Sequence, residues 1–193
     1  MKTKLFLSSL FLLLSFNVFS QSKKNDLRIT VSGIPLITST NGEGGLSGFS
    51  IKPSAGYFLT DKTSVELTFG YTTNDAFSID GIDSYYNAVS IVPVARYSFY
   101  NKEKLRLFVE GGFGLGFINY KPDNVQFSSP KHEQFSGGIT VFNAGIGADY
   151  FFNQNFGIQF ILPYLYINNN TSSYLNNIYN GLGPTLGLTF KVN

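Results

Sequence analysis

The chain of 193 residues has no cysteine and no tryptophan, one methionine and one histidine. Without cysteine there are no disulfides and no thiolate metal sites. Attachment to the membrane as a lipoprotein, which needs a cysteine after a leader, is excluded too. Charged residues make up only 13% of the sequence, about half the usual share in soluble domains of ~25%. The net charge of +2 gives no reason to expect nucleic acid as a partner. No phosphate-binding loop and no cluster of metal-ligand residues stands out, so neither a cofactor nor a metal is expected, and no catalytic residue is assigned. Beyond the first twenty residues no apolar run approaches the ~18 residues needed for a helical membrane span.

The first twenty residues are of another kind. Lys2 and Lys4 precede an apolar run from Leu5 to Leu14 broken only by Ser8 and Ser9, and Val18-Phe19-Ser20 ends on a small residue before Gln21. A basic start, a short apolar core and a small-residue exit describe a cleaved secretory signal. The core is too short to serve comfortably as an uncleaved transmembrane anchor. The expected organisation is therefore a signal at 1–20, cleaved near Ser20, and one domain over 21–193.

That domain is rich in glycine and aromatics, with 20 Gly, 20 Phe and 12 Tyr. Eight segments alternate in polarity: Leu27–Ile37, Leu46–Leu59, Thr63–Thr73, Tyr85–Phe99, Leu105–Asn119, Gly137–Phe152, Phe156–Ile167 and Asn180–Val192. A period of two with β-branched and aromatic residues is the strand signature. In the third, Val65, Leu67, Phe69 and Tyr71 oppose Ser64, Glu66, Thr68 and Gly70. In the last, Leu182, Leu186, Leu188 and Phe190 oppose Gly183, Thr185, Gly187 and Thr189. The first is the least regular, because Ile34 and Leu36 fall on its polar face. Connections alternate between short (Thr60–Lys62, Tyr100–Lys104, Asn153–Asn155) and long (Thr38–Gly45, Asn74–Ser84, Tyr120–Gln134, Asn168–Asn177). Alternating short turns and long loops, with strands long enough to cross a bilayer, are the pattern of outer-membrane barrels. The expected fold is all-β, an eight-stranded antiparallel up-and-down transmembrane β-barrel that ends with its eighth strand.

A soluble barrel with an apolar interior would show the same alternation. The two differ in which face is bulky. An eight-stranded lumen is just wide enough to be filled by side chains, and rows of Phe, Tyr and Leu from eight strands would overfill it. The bulky face is therefore expected to meet lipid and the Gly, Ser and Thr face to fill the lumen. Two aromatic girdles are expected: Tyr57, Phe58, Tyr97, Phe99, Tyr100, Tyr150, Phe151, Phe152 and Phe156 beside the short turns, and Tyr71, Tyr85, Tyr86, Phe117, Tyr120, Tyr164 and Tyr166 near the long loops. Pro53, Pro93, Pro163 and Pro184 lie inside strands, where the missing N–H predicts local bulges.

By alternation Arg28, Lys52, Glu66, Arg96, Arg106, Glu110, Asp149 and Lys191 all point into the lumen, most of them near the short-turn end. Buried charges are costly unless paired, so these eight are expected to form a structural salt-bridged plug, with Glu66 beside Arg96 and Arg106 near Arg96 and Asp149. The competing reading is a narrow gated path for ions. The only histidine, His132, sits in the longest loop with Ser128, Ser129 and Glu133. His, Ser and an acid could serve a lipid-modifying hydrolase, but a long loop positions such a site poorly.

The segments Pro53-Ser54-Ala55-Gly56-Tyr57-Phe58-Leu59-Thr60-Asp61-Lys62 and Phe108-Val109-Glu110-Gly111-Gly112-Phe113-Gly114 resemble the small outer-membrane β-barrel proteins common in Bacteroidetes. The resemblance implies an eight-stranded barrel in the outer membrane of a Gram-negative bacterium and no single activity. The terminal Thr185-Leu186-Gly187-Leu188-Thr189-Phe190-Lys191-Val192 is similar to the insertion signal read by the barrel assembly machinery, although the chain ends in Asn193 rather than an aromatic residue. The expected partners are outer-membrane lipid and lipopolysaccharide, the assembly machinery during insertion, and an extracellular ligand met by the loops. The expected role is structural or interactive, not enzymatic; the alternatives are a lipid A-modifying enzyme or a narrow small-solute channel.

Overall fold

In the computed structural model, residues 24–36, 47–79, 82–122, 135–168 and 181–192 are described. They form β1 (Leu27–Leu36), β2 (Ser47–Phe58), β3 (Thr63–Ile79), β4 (Ile82–Lys102), β5 (Leu105–Pro122), β6 (Phe135–Phe151), β7 (Phe156–Asn168), β8 (Gly181–Leu182) and β9 (Thr185–Val192). β8 and β9 are two pieces of one strand, interrupted at Gly183 and Pro184, so the wall has eight positions. Each strand pairs antiparallel with the next, and β9 pairs with both β1 and β7. The sheet thus closes on itself into an eight-stranded up-and-down barrel.

Burial alternates along every strand, and the bulky face is outside. Leu67, Phe69, Ile91, Leu115, Ile146, Phe160 and Leu186 are among large apolar side chains exposed by 38% to 67%. In water each would forgo on the order of 1 kcal/mol of burial. Summed over the wall that exceeds the ~5–15 kcal/mol net stability of a folded domain, so this surface requires lipid. The soluble-barrel alternative, with its faces reversed, is excluded by this orientation.

The structure departs from the sequence reading in three places. The segment Asn74–Ser84 is not an open loop: β3 runs on to Ile79 and β4 starts at Ile82, with a register shift between Asn74 and Phe77. Asn74-Asp75-Ala76 breaks the two-residue alternation in the sequence, so the strand could not be followed there from polarity alone. The turn after β4 is only Glu103-Lys104, with Glu103 at φ 47°, because β4 continues to Lys102 after a shift between Ser98 and Tyr100.

The prolines also behave differently. Pairing lapses between Ile51–Tyr71 and Ser54–Thr68 around Pro53, between Ile91–Leu115 and Val94–Gly112 around Pro93, and between Ile161–Thr185 and Tyr164–Leu182 around Pro163 and Pro184. In each case the register is the same on both sides of the gap, so these are missed rungs, not bulges. At Pro53, Pro93 and Pro163 the other edge of the strand stays paired, Val31 with Pro53, Leu67 with Pro93 and Gly145 with Pro163, whereas at Pro184 the pairing with β1 has already ended at Gly33–Leu186. Proline lacks one donor only, so losing one rung on one side suffices.

A charge at mid-height on the outer face should therefore be costly. Ile91→Lys should lower stability by about 2–4 kcal/mol in urea unfolding from lipid vesicles, and Ile91→Leu should leave it nearly unchanged.

Candidate functional site: the lumen

The short turns, at residues 59–62, 103–104 and 152–155, lie at one end of the barrel. Arg28 and Arg106 are the second residues of β1 and β5, and Asp149 and Lys191 fall near the ends of β6 and β9, so all four sit at that end. Alternation turns them inward, where they are almost completely enclosed: Arg28 1%, Arg106 2%, Asp149 0% and Lys191 2% exposed.

Six of the charges make one chain of alternating sign. Arg106 Nε donates to Asp149 Oδ2 at 2.9 Å. Arg28 Nη1 reaches the same oxygen from across the lumen at 3.0 Å, and its Nη2 pairs with Glu66 Oε1. Glu66 Oε2 lies 3.3 Å from Arg96 Nη2, and Arg96 Nε lies 2.7 Å from Glu110 Oε2. Neutral groups extend the chain. Gln159 Nε2 donates to Asp149 Oδ1 at 2.8 Å, and Asn143 Nδ2 is 3.5 Å from Glu110 Oε1. Each carboxylate meets at least one guanidinium, and Asp149 and Glu66 each meet two. Such pairing keeps desolvated charges tolerable.

Beneath and between the arginines lie three phenylalanines, Phe58, Phe108 and Phe151, exposed by 1% or less. The Arg106 guanidinium stands 4.7 Å from the Phe58 ring centre, Arg96 stands 4.6 Å from that of Phe108, and the Lys191 ammonium stands 4.2 Å from that of Phe151. Cations over ring faces gain from the aromatic quadrupole, more so when desolvated.

The eight predicted residues are thus all inward. Six of them join the ion-pair chain. Lys191 rests on Phe151, and Lys52 stands apart on β2 in the outer half of the lumen. Sequence reasoning placed Glu66 against Arg96 but missed Arg28 as the bridge between Glu66 and Asp149, a contact across the barrel that no local pattern encodes. It also missed Gly56, which lies between β1 and β3. A Cβ there would collide with Glu66 Cγ, so the glycine leaves room for Glu66 to lie over β2 toward Arg28.

Three aromatics assigned to girdles are lumenal: Phe58 and Phe151 belong to the floor, and Tyr120 lines the outer half. Phe108 falls on the inward parity of its strand, and the sequence face around it reads as glycine-rich filler. In the structure Gly147 on β6 supplies the room: a Cβ there would stand 2.5 Å from the Phe108 ring. The lumen is also less uniformly small and polar than expected. Val92, Val94, Ile118, Tyr120, Ile139, Val141 and Ile167 form an apolar cluster on the β4–β7 side of its outer half. The outward aromatics near the floor do form a ring cluster, Tyr150 against Phe152, Phe152 against Phe156 and Phe156 against Phe190, with centres 5.0–5.7 Å apart.

No group of metal-ligating side chains occurs among the described residues. His132, Ser128, Ser129 and Glu133 lie outside them.

A closed barrel with a lipid-facing apolar wall and a lumen floored by buried charges defines an outer-membrane β-barrel protein. The chain belongs to the outer membrane protein beta-barrel domain family, whose profile matches residues 6–190. Its fold is that of several solved barrels. The N-terminal β-barrel domain of Pseudomonas aeruginosa OprF is 23% identical, with 89% of this chain and 100% of that one covered and a TM-score of 0.55. Ail, the attachment invasion locus protein of Yersinia pestis, is 17% identical over 88% and 99%, with a TM-score of 0.54. Neisserial surface protein A is 17% identical over 86% and 96%, with a TM-score of 0.55. At these identities the likeness concerns the fold. No curated protein matches the sequence.

The chain of ion pairs predicts unequal consequences for its links. Arg96→Ala leaves Glu66 its bond to Arg28 but leaves Glu110 without an ion-pair partner, and should cost about 3–5 kcal/mol in urea unfolding from detergent micelles. Adding Glu110→Gln should restore more of that loss than adding Glu66→Gln; the reverse ranking would refute the assigned connectivity. Gly56→Ala should cost about 1–3 kcal/mol by displacing Glu66.

Proposed function

We propose that this protein is a non-catalytic outer-membrane barrel of a Gram-negative bacterium whose extracellular loops make its functional contacts. The observation that carries this reading is the floor of the lumen. Arg28, Glu66, Arg106 and Asp149 are each exposed by 4% or less, and with Phe58, Phe108 and Phe151 they fill the cross-section near the periplasmic end. Eight strands enclose little more than their own side chains, so this layer argues against a path for ions or solutes through the barrel. A role through the loops is what remains for a body of this kind. Seven of the eight lumenal charges, all but Lys52, are then structural: they hold the periplasmic end shut and fix the strands against each other.

The wider reading rests on the sequence. Residues 1–20 act as a signal cleaved near Ser20, and 21–193 form the barrel. The motifs shared with Bacteroidetes barrels favour that origin. The partners are outer-membrane lipid and lipopolysaccharide around the apolar wall, the assembly machinery through Thr185–Val192, and an extracellular ligand at the loops. A lipid A-modifying activity is the second reading, resting on His132 and Ser129 in the long loop.

Reconstitution in planar bilayers should give no stepwise conductance up to 100 mV, and regular single-channel steps would replace the structural reading with a channel. Outer-membrane fractions should contain a band that migrates fast when unheated and slows on boiling, with an N-terminus near Gln21. Unchanged lipid A in cells expressing the protein, with or without His132→Ala, would exclude the enzyme.

A further inference from the structure

The floor accounts for the charges near the periplasmic end but not for Lys52. Among the described inward side chains five are cationic (Arg28, Lys52, Arg96, Arg106, Lys191) and four anionic (Asp26, Glu66, Glu110, Asp149). The three arginines join Glu66, Glu110 and Asp149 in the ion-pair chain. Lys191 is attracted by Asp26 at the periplasmic mouth. The Lys52 ammonium makes no ion pair and no hydrogen bond among the described residues. The acid that attracts it, Glu110, is already engaged by Arg96 at 2.7 Å and Asn143 at 3.5 Å.

There is room around it. Lys52, Thr68, Thr72 and Ser90 point inward between lipid-facing neighbours, yet each is only partly buried. An inward side chain that keeps accessible surface borders open lumen, in contrast to the sealed floor. Hydroxyls converge there. In the β2–β3 register Lys52 lies level with Gly70, between the pairs Ile51–Tyr71 and Ser54–Thr68, and Gly70 pairs with Ser90 on β4. A Cβ on Gly70 would stand 2.5 Å from Ser90 Oγ, so that hydroxyl leans over the glycine toward β2 and Lys52. The hydroxyls of Thr68 and Ser90 have no hydrogen-bond partner among the described residues, and Ser50 and Thr72 share one at 2.9 Å. A compact cation with several hydroxyl donors, in a confined space facing away from the sealed floor, suits an oxyanion.

We propose that the outer half of the lumen is a binding cup for a small solute carrying one negative charge on oxygen, a carboxylate, with Lys52 as its charged anchor and Ser90 and Thr68 as hydrogen-bond donors. One unpaired cation calls for one negative charge, and Glu110 on the inner side disfavours a second. The ligand enters from the extracellular side, because the floor closes the other end.

The test is an NMR titration of the ¹⁵N-labelled barrel, refolded in detergent, with sodium acetate against sodium chloride at matched ionic strength. Saturable shifts are expected at the amides of residues 51–54 and 68–72, with affinity reduced at least tenfold in Lys52→Met and retained within about threefold in Lys52→Arg. Inorganic phosphate in its dianionic form should bind at least tenfold more weakly than acetate; equal or tighter binding would overturn the carboxylate assignment. The absence of a saturable shift with acetate, or shifts that persist in Lys52→Met, would overturn the site. Lys52→Met removes an unpaired charge, so its unfolding midpoint should stay level or rise. Should it fail to refold, Gly70→Ala, which pushes Ser90 away, gives the second reading: weakened acetate binding supports the cup and unchanged binding refutes it.

Discussion

In hydrocarbon no water is available to satisfy a backbone N–H or C=O, so a strand that crosses a bilayer must be paired on both sides. Here that requirement is met by closure, with Leu27–Gly33 of β1 against Leu186–Val192 of β9. Everything else in the molecule follows from the closed ladder. A closed wall has an inside and an outside, and the two-residue period of the strand sorts side chains between them without exception for charge. Any Arg, Glu or Asp on the inward parity is carried into a space that eight strands leave barely wider than the side chains themselves.

That confinement explains the form of the ion-pair chain. Isolated, each of these charges would cost several kcal/mol to desolvate. Linked with alternating sign from Arg106 through Asp149, Arg28, Glu66 and Arg96 to Glu110, each carboxylate has a cation, and Phe58, Phe108 and Phe151 fill the space that polar groups leave. The links join strands on opposite sides of the lumen, so the plug also braces the wall. Above it the lumen divides: aliphatic side chains on β4–β7 pack together, while Lys52 on β2, Thr68 and Thr72 on β3 and Ser90 on β4 keep some accessible surface.

The missed rungs at Pro53, Pro93 and Pro163 show how tolerant the ladder is. Each proline forfeits one donor, the register carries across the gap, and the opposite edge of the strand remains bonded. The wall keeps its closure while sparing the local kink that a bulge would add. The same economy allows barrels with 17–23% identity to share one fold. What they share is the alternation and the closure, and neither of these specifies a ligand.

Much of the fold was legible in the residues themselves. Val65-Glu66-Leu67-Thr68-Phe69 declares a strand with one bulky face, and eight such segments with short and long connections declare the barrel, because a period of two and the bilayer thickness are both local constraints. The inward parity of Arg28, Glu66, Arg96, Arg106, Glu110 and Asp149 was legible for the same reason. The hairpin beyond Thr73 was not, since Asn74-Asp75-Ala76 interrupts the alternation. Nor was the lumenal place of Phe58, Phe151 and Tyr120, since an aromatic at a strand end reads as a girdle until the parity is fixed by its neighbours. Which cation meets which acid, the room that Gly56 and Gly147 leave for Glu66 and Phe108, and the isolation of Lys52 were decided only by the tertiary structure. These depend on the stagger of strands around a closed barrel, which brings residues 28 and 149 together and is written in no single segment of the chain.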